Sequence, residues 1–254
     1  MPIFGEHDPL VESAIRNFME SPDVAEHLKF LGEHLPPETT VLVAGGAIRN
    51  IIIGRIHGYC PPILDIDVFL EGLEVDFRLD SVFSGQHIVR TDLGGIRWQP
   101  AASAYAWDIG LLSNFLIIKQ YGLPPCLRSL LATLDFNVNA VVYDATAQAF
   151  HEHGCIQGIR RKIIDFNTLR MADKLLLVYR ILVIRHKIGF ALSERIVHFL
   201  KNAVDLDTLI HLRGLLIAKQ GKITGKAILN DYNRIATCRD YGEYLERTTM
   251  GVKS

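Results

Sequence analysis

Apolar positions in the first 35 residues recur at helical spacing. Val11, Ile15 and Phe18 form one set and Val24, Leu28 and Leu31 a second, so the stretch from about Asp8 to Leu35 reads as one or two helices. Ser21-Pro22-Asp23 interrupts it and Pro36-Pro37 ends it. The texture then changes. Thr39–Ala44 (TTVLVA) is a short β-branched run of the kind that forms a buried strand. Gly45-Gly46 follows at once, and Ala47–Ile53 returns to a helix-compatible pattern predicted to stop near Gly54. Beyond a loop holding Pro61-Pro62, Leu64–Leu70 (LDIDVFL) opens with alternating acidic and apolar residues, as a half-buried strand does. His87–Asp92 and Ile96–Gln99 flank Leu93-Gly94-Gly95 as a hairpin, and Ala104–Gly110 reads as a further strand. Pro124–Thr133 is predicted as a short helix and Phe136–Tyr143 as another strand. From about Thr168 the spacing is helical almost to the end. Leu175, Val178, Leu182 and Arg185 fall on neighbouring faces, and Gly189 closes that helix.

These elements predict an N-terminal helical extension over 1–35, a mixed α/β domain over 36–166 and an all-helical domain over 167–254. Composition agrees with a water-soluble globular chain: of 254 residues, 49% are hydrophobic and 22% charged, with a formal net charge of -1. No stretch reaches the roughly 18–20 uncharged apolar residues of a membrane span. Met1–Asp8 carries no signal-peptide pattern. Cys60, Cys126, Cys155 and Cys238 are scattered, without the close pairs of a disulfide framework or zinc module, so a reducing, cytoplasmic setting is expected. The near-zero charge conceals an asymmetry. Residues 158–254 carry 18 Lys or Arg against 9 Asp or Glu, whereas the remainder is acidic. A basic back half is either a set of solvated helix faces or a surface for a polyanion such as RNA.

The chemistry concentrates in a strand, a Gly-Gly turn, a helix, a loop and then Asp65-Ile66-Asp67. Two glycines at a strand-to-helix turn let the backbone approach a bulky anion, and the following helix presents free N–H groups to it. Arg49, one turn into the helix, can add a charge-assisted hydrogen bond to phosphate. Aspartates two apart on a strand project from one face, where their charges repel unless a divalent cation lies between them; Mg²⁺ favours such oxygen donors. Phosphate on one side and metal on the other is what in-line phosphoryl or nucleotidyl transfer needs.

Residues 43–69 (VAGGAIRNIIIGRIHGYCPPILDIDVF) resemble the head of the class II tRNA nucleotidyltransferases and bacterial poly(A) polymerases, within the DNA polymerase β superfamily. That family opens with Gly-Gly-x-Val-Arg-Asp, a Leu-Leu-Gly stretch and an Asp-x-Asp strand. Asp135–Ala140 (DFNVNA) is similar to its Asp-Phe-x-x-Asn-Ala motif, and Arg180–Phe190 (RILVIRHKIGF) resembles its helix ending in Lys-Leu-Gly-Phe. The resemblance spans about residues 38–200. It implies an α/β nucleotidyltransferase head with a mixed or antiparallel sheet, followed by a helical neck-like domain. It further implies that Gly45, Gly46 and Arg49 hold the triphosphate, that Asp65 and Asp67 ligate two Mg²⁺ ions, and that Asp135 and Asn139 contact the sugar. Arg160, in the basic run Arg160-Arg161-Lys162, is implied to reach phosphate or RNA. The superfamily's third carboxylate, which activates the attacking hydroxyl, is assigned to Asp108; a surface acid on an edge strand is the alternative. For Asp135 and Asn139 the alternative is a capping role.

Several positions depart from the family pattern. Asn50 stands where the family has Asp, which weakens or removes a contact there. Thr133-Leu134 replace arginines of the CCA-adding members. The base-reading motif Glu/Asp-Asp-x-x-Arg falls on Asp173-Lys174-Leu175-Leu176-Leu177 and keeps its first acid only. With about 60 residues after Phe190, no tail domain for gripping a tRNA elbow is expected. His151-Glu152-His153 with Cys155 nearby reads as a loop rather than a metal cluster, and Trp98 and Trp107 as packing rather than base-stacking residues. The expected function is Mg²⁺-dependent transfer of a nucleotide from ATP or another NTP to an acceptor hydroxyl. The RNA 3′ end lying on the basic helices is one acceptor, and full CCA addition is not expected. A catalytically silent nucleotide- or RNA-binding module, or an enzyme modifying a small molecule or protein, remain alternatives, and the oligomeric state is left open.

Overall fold

The computed structural model describes residues 8–91, 94–101, 103–168, 170 and 173–250. The chain separates into two compact units, Met1–Arg161 with Asn167–Arg170, and Lys162–Phe166 with Met171–Ser254. In the first, the order is α1 (Pro9–Met19), α2 (Pro22–His34), β1 (Thr40–Ala44), α3 (Gly46–His57), β2 (Asp65–Glu71), α4 (Leu79–Val82), β3 (Ile88–Arg90), β4 (Ile96–Trp98), β5 (Ala106–Leu111), α5 (Leu116–Gln120), α6 (Leu127–Thr133), β6 (Val141–Asp144), β7 (Ala149–Glu152) and α7 (Cys155–Arg161). The seven strands form one sheet in the order β3-β4-β5-β2-β1-β6-β7. Neighbours run antiparallel except β2 and β5, which are parallel.

Side chains alternate across each strand, so the two faces of this sheet differ. Trp98 stands opposite Trp107, and Trp107 opposite Ile66. That row is covered by α2, whose His27 and Phe30 rings pack on Trp98, with Phe83 alongside. Both tryptophans are buried, so they serve packing and offer no ring to a base. On the opposite face, Leu42, Ala44 and Val142 join Leu112, Ile118, Leu130 and Leu131 in a core that Phe69 and Phe115 extend. Glu71 accepts a hydrogen bond from Leu127 N–H at 2.9 Å, which ties the start of α6 to the end of β2. Asp65 and Asp67, at the other end of β2, remain partly exposed.

Several boundaries differ from the sequence expectation. The helix after Gly46 runs through Gly54 to His57 and stops at Gly58, whose φ of 75° is a left-handed C-cap. Gly54 sits at a close approach of the returning loop, where a Cβ would stand a tight 3.1 Å from Cys60 Cβ. The strand expected from Phe136 begins at Val141. Asp135 and Asn137 accept the Phe136 and Val138 N–H groups at 2.9 and 2.8 Å, and 137–139 wind into a 3-10 turn. The β3–β4 hairpin forms as expected, with Thr91 N–H donating to Gly95 O at 2.9 Å; Asp92 and Leu93 lie outside the described residues.

The second unit holds β8 (Ile163–Ile164) parallel to β9 (Ala191–Leu192), then α9 (Glu194–Ala203), α10 (Leu206–Gln220), α11 (Lys222–Ala236) and α12 (Tyr241–Met250), with α8 (Lys174–Ile188) between the two strands. The helix predicted from about Thr168 starts at Lys174, because Asp173 caps it by accepting Leu176 N–H at 2.7 Å. Leu169, Met171 and Ala172 lie outside the described residues. Val178, Ile181, Leu182, Ile196, Leu200 and Leu216 are buried. Among the described residues no helix is long and apolar enough to cross a membrane, and all four cysteines are free.

Candidate active site

The end of β1 turns sharply at Gly45, whose φ of 73° and ψ of −125° only glycine adopts at low cost. A Cβ at Gly45 would lie 3.5 Å from Asp67 Oδ2, so the turn and the second aspartate are neighbours. Among the described residues no side chain caps the start of α3, which leaves its first N–H groups available to an anion. Asp65 and Asp67 point to one face of β2, with Ile66, Val68 and Leu70 buried on the other. Asp108 stands directly opposite Asp67 in the parallel β2–β5 register. The three carboxylates predicted from the sequence therefore share one face of two adjacent strands.

Arg49 sits beneath the turn. A Cβ at Gly46 would come within 3.6 Å of Arg49 Nη2, and the arginine as a whole is 8% exposed. Its Nε donates to Asn50 Oδ1 at 3.0 Å and its Nη1 to Asn139 Oδ1 at 2.6 Å. Asn139 in turn donates to Asp135 Oδ1 at 2.8 Å. Burial draws the Arg49 guanidinium below its ordinary value, while Cys155, Asp135, Asp67 and Asp65 push it back up; an arginine remains charged under both influences. Asp135 and Asn139, expected at the sugar, are themselves buried and hold this arginine.

Asn50 carries more than its departure from the family pattern predicts. It accepts from Arg49 and also donates through Nδ2 to Pro62 O at 2.9 Å, fastening the loop that leads into β2. An ionised aspartate has no hydrogen to give that carbonyl. The expected loss of a contact is thus replaced by a different pair of contacts.

Arg97 was not singled out in the sequence. It faces Asp108 across β4 and β5, and its Nη1 donates to Asp108 Oδ2 at 2.7 Å. The signal was present in Ile96-Arg97-Trp98, whose alternation sets Arg97 on the face opposite Trp98, but it needed the strand order to reach an acid. Burial raises the Asp108 pKa from its ordinary value, Arg97 opposes this, and the charge of Asp65 adds to it. Asp108 Oδ1 is buried and, among the described residues, has no hydrogen-bond partner.

The other predicted positions lie elsewhere. Arg160, on α7, forms an ion pair with Asp8 at 2.6 Å beside the start of α1. Glu152 is buried and caps α7, accepting Cys155 N–H at 2.6 Å, and His153 Nδ1 lies 2.8 Å from Asn167 Oδ1. A hollow of about 370 Å³, lined by Met19, Leu28, Leu35, Val41 and Tyr143, is not part of this cluster. Val41 alternates with Leu42 along β1, which places the hollow on the opposite face of the sheet from Asp67.

The donor set is of the kind that suits a hard divalent cation: carboxylate oxygens from adjacent strands, one of them a buried oxygen without a hydrogen-bond partner among the described residues. Among the described residues no group of three or more His, Cys, Asp or Glu side chains is assembled to hold a metal ion by itself.

No protein-family model matches the chain, and no curated protein does. Solved structures do. A CCA-adding enzyme in complex with ATP superposes with a TM-score of 0.65 and 18% identity over 92% of this chain and 55% of that one. The Thermotoga maritima CCA-adding enzyme complexed with tRNA gives 0.61 and 17% over 98% and 55%. A tRNA-processing enzyme with CTP gives 0.57 and 18% over 87% and 57%. This chain thus spans about half the length of the structures it matches. Its mixed sheet and the helices that follow have the fold of the CCA-adding enzymes.

Proposed function

We propose that the protein is a Mg²⁺-dependent nucleotidyltransferase that moves a nucleotide from an NTP to an acceptor hydroxyl, with an RNA 3′ end as the acceptor. The observation that carries this is the grouping of Asp65, Asp67 and Asp108 on one face beside the Gly45 turn. The likeness in fold to structures containing ATP, CTP and tRNA supports the choice of substrates. Gly45 N–H donates to Val141 O at 3.3 Å, so the turn serves by close approach and Gly46, at the start of α3, presents its backbone N–H to the triphosphate, while Arg49 adds positive charge from beneath the turn. Asp65 and Asp67 hold Mg²⁺, two ions in this reading, which when bound lowers the pKa of the attacking hydroxyl and neutralises charge on the leaving pyrophosphate. Asp108 accepts the hydroxyl proton or completes the metal site through Oδ1.

Selection of bases by the family's protein template is not part of the proposal. Asp173 is engaged as a helix cap and Leu177, in place of the arginine, is buried. Full CCA addition is therefore not proposed, and a cytoplasmic setting is the one in which such chemistry meets its RNA.

The test is incubation with total RNA and each labelled NTP in turn, with Mg²⁺ supplied or chelated. Label should enter RNA only with metal present. Asp65→Ala and Asp67→Ala should each lower transfer about 10³-fold or more, as losing charge stabilisation at the reacting phosphate does, while thermal melting changes little because both side chains are partly exposed. Full activity in either variant defeats the proposal. NTP binding with no transfer to any acceptor supports instead the silent binding module.

A further inference from the structure

Arg97, Asp108 and Asp67 form one row across β4, β5 and β2, and the alternation of strands puts all three on the same face. Asp65 is one step along that face. Three carboxylates on two neighbouring strands repel one another, and Arg97 is the cation that offsets them from β4. It does so through one oxygen, Asp108 Oδ2, and leaves Oδ1 buried without a partner among the described residues. The Arg97 side chain is 45% exposed and that of Asp108 28%, so water and salt reach the pair and keep it weak. A guanidinium is a planar fork of donors that fits phosphate as well as it fits carboxylate.

We propose that Arg97 is a positioning residue that exchanges partners: it pairs with Asp108 in the free protein and transfers to the phosphate tail of an incoming nucleotide, releasing both Asp108 oxygens to the divalent cation that accompanies it. This rests on the nucleotidyltransferase reading above. Before binding, the guanidinium competes with the cation for Asp108. A cation held by these carboxylates would offset their charge in its place and free the Arg97 guanidinium to reach for a phosphate oxygen. Cation and nucleotide then each remove what hinders the other, which makes their binding mutually reinforcing, by the same factor in both directions.

The test is calorimetric titration of the full chain with Mn²⁺ alone, with a non-hydrolysable ATP analogue alone, and with both. The wild type should bind Mn²⁺ weakly alone and more tightly with the analogue. In Arg97→Gln, Mn²⁺ alone should bind about tenfold more tightly, the analogue at saturating Mn²⁺ about tenfold more weakly, and the coupling between them should shrink. In an Asp108→Asn background the same Arg97→Gln change should no longer alter Mn²⁺ affinity. A structural role for Arg97 would move both affinities the same way or neither, and either result overturns the exchange. If the wild type binds neither Mn²⁺ nor the analogue, the nucleotidyltransferase reading fails first. If it binds both and Arg97→Gln leaves Mn²⁺ affinity unchanged, the exchange alone fails.

Discussion

Arg49 carries a positive charge out of water's reach, and the residues around it are chosen to make that tolerable. Asn50 and Asn139 supply amide oxygens to its donors, and Asp135 orients Asn139 by accepting from its nitrogen. Amides suit this better than a carboxylate would, because each both accepts and donates. Asn139→Ala removes the acceptor of Arg49 Nη1 inside a buried cluster. Leaving a charged donor unpaired costs about 2–3 kcal/mol, so the variant's denaturant midpoint should fall with its slope unchanged. A loss below about 0.5 kcal/mol, the range of ordinary surface changes, would show that Arg49 does not depend on Asn139. The strand, the Gly-Gly turn and the two aspartates of β2 were legible in the sequence because each has a local signature: β-branched run, paired glycines, alternating acids. The Arg49–Asn139 link was not, since its partners lie 90 positions apart and meet only when β6 pairs with β1.

Among the elements, periodicity located α1–α3, α6 and α8, missed the short α4, α5 and α7, and misplaced ends where side chains take over backbone hydrogen bonds. Asp135 and Asn137 delay β6, and Asp173 starts α8 later than the apolar spacing does. Two glycines in the helical unit show how packing overrides propensity. Gly225 in α11 lies against α10, where a Cβ would stand 2.9 Å from Leu216 C and O and 3.0 Å from Ile217 N. At Gly214 in α10, no atom of the described residues from outside its own stretch of helix backbone lies within 4 Å of that position. Alanine at 214 should stabilise by about 1 kcal/mol through helix propensity alone. Alanine at 225 gains the same term and meets backbone that cannot yield, for a net loss of about 1–3 kcal/mol. Opposite shifts in melting temperature are the expected result; equal shifts would mean that the α10–α11 approach is looser than described.

The last helix offers a pH test. Glu243 accepts from Arg239 N–H at 2.8 Å, from Arg239 Nε at 3.0 Å and from Arg247 Nη2 at 2.5 Å. The Arg239 backbone and side-chain bonds, with help from Arg247, lower its pKa from 4.5 to about 2. A carboxylate depressed on folding stabilises the folded form above its unfolded pKa, and that contribution disappears as pH falls through the folded value. Stability should therefore decline between about pH 4.5 and 2 in part through Glu243, and Glu243→Gln should flatten that stretch in melts taken across the range. An unchanged pH profile in the variant would remove Glu243 from the account.

At the scale of the molecule, charge is distributed in opposition to the overall balance of -1. The acidic excess belongs to the part that holds the aspartate face and the basic excess to residues 158–254, with 18 Lys or Arg against 9 Asp or Glu. Under the proposed function, carboxylates gathering Mg²⁺ would repel RNA, so an RNA acceptor would have to be held by cations elsewhere, and the sequence offers its basic excess from residue 158 onward. Arg160 is the least suitable of its run, because Asp8 already pairs with it. Arg161 and Lys162 are exposed. Each phosphate contact to single-stranded RNA contributes about −0.7 to the slope of log affinity against log salt. Arg161→Glu with Lys162→Glu should weaken RNA binding and make that slope shallower by roughly 1.4 if both touch phosphate, whereas Arg160→Gln should leave the slope near its original value. NTP and Mn²⁺ affinities, measured on the same proteins, should not move, because the acid face and the Gly45 turn are untouched. If the double charge reversal leaves both RNA affinity and slope unaltered, the basic run is a solvated surface. The acceptor hydroxyl would then have to be sought on a small molecule or a protein, with the chemistry at Asp65 and Asp67 unchanged.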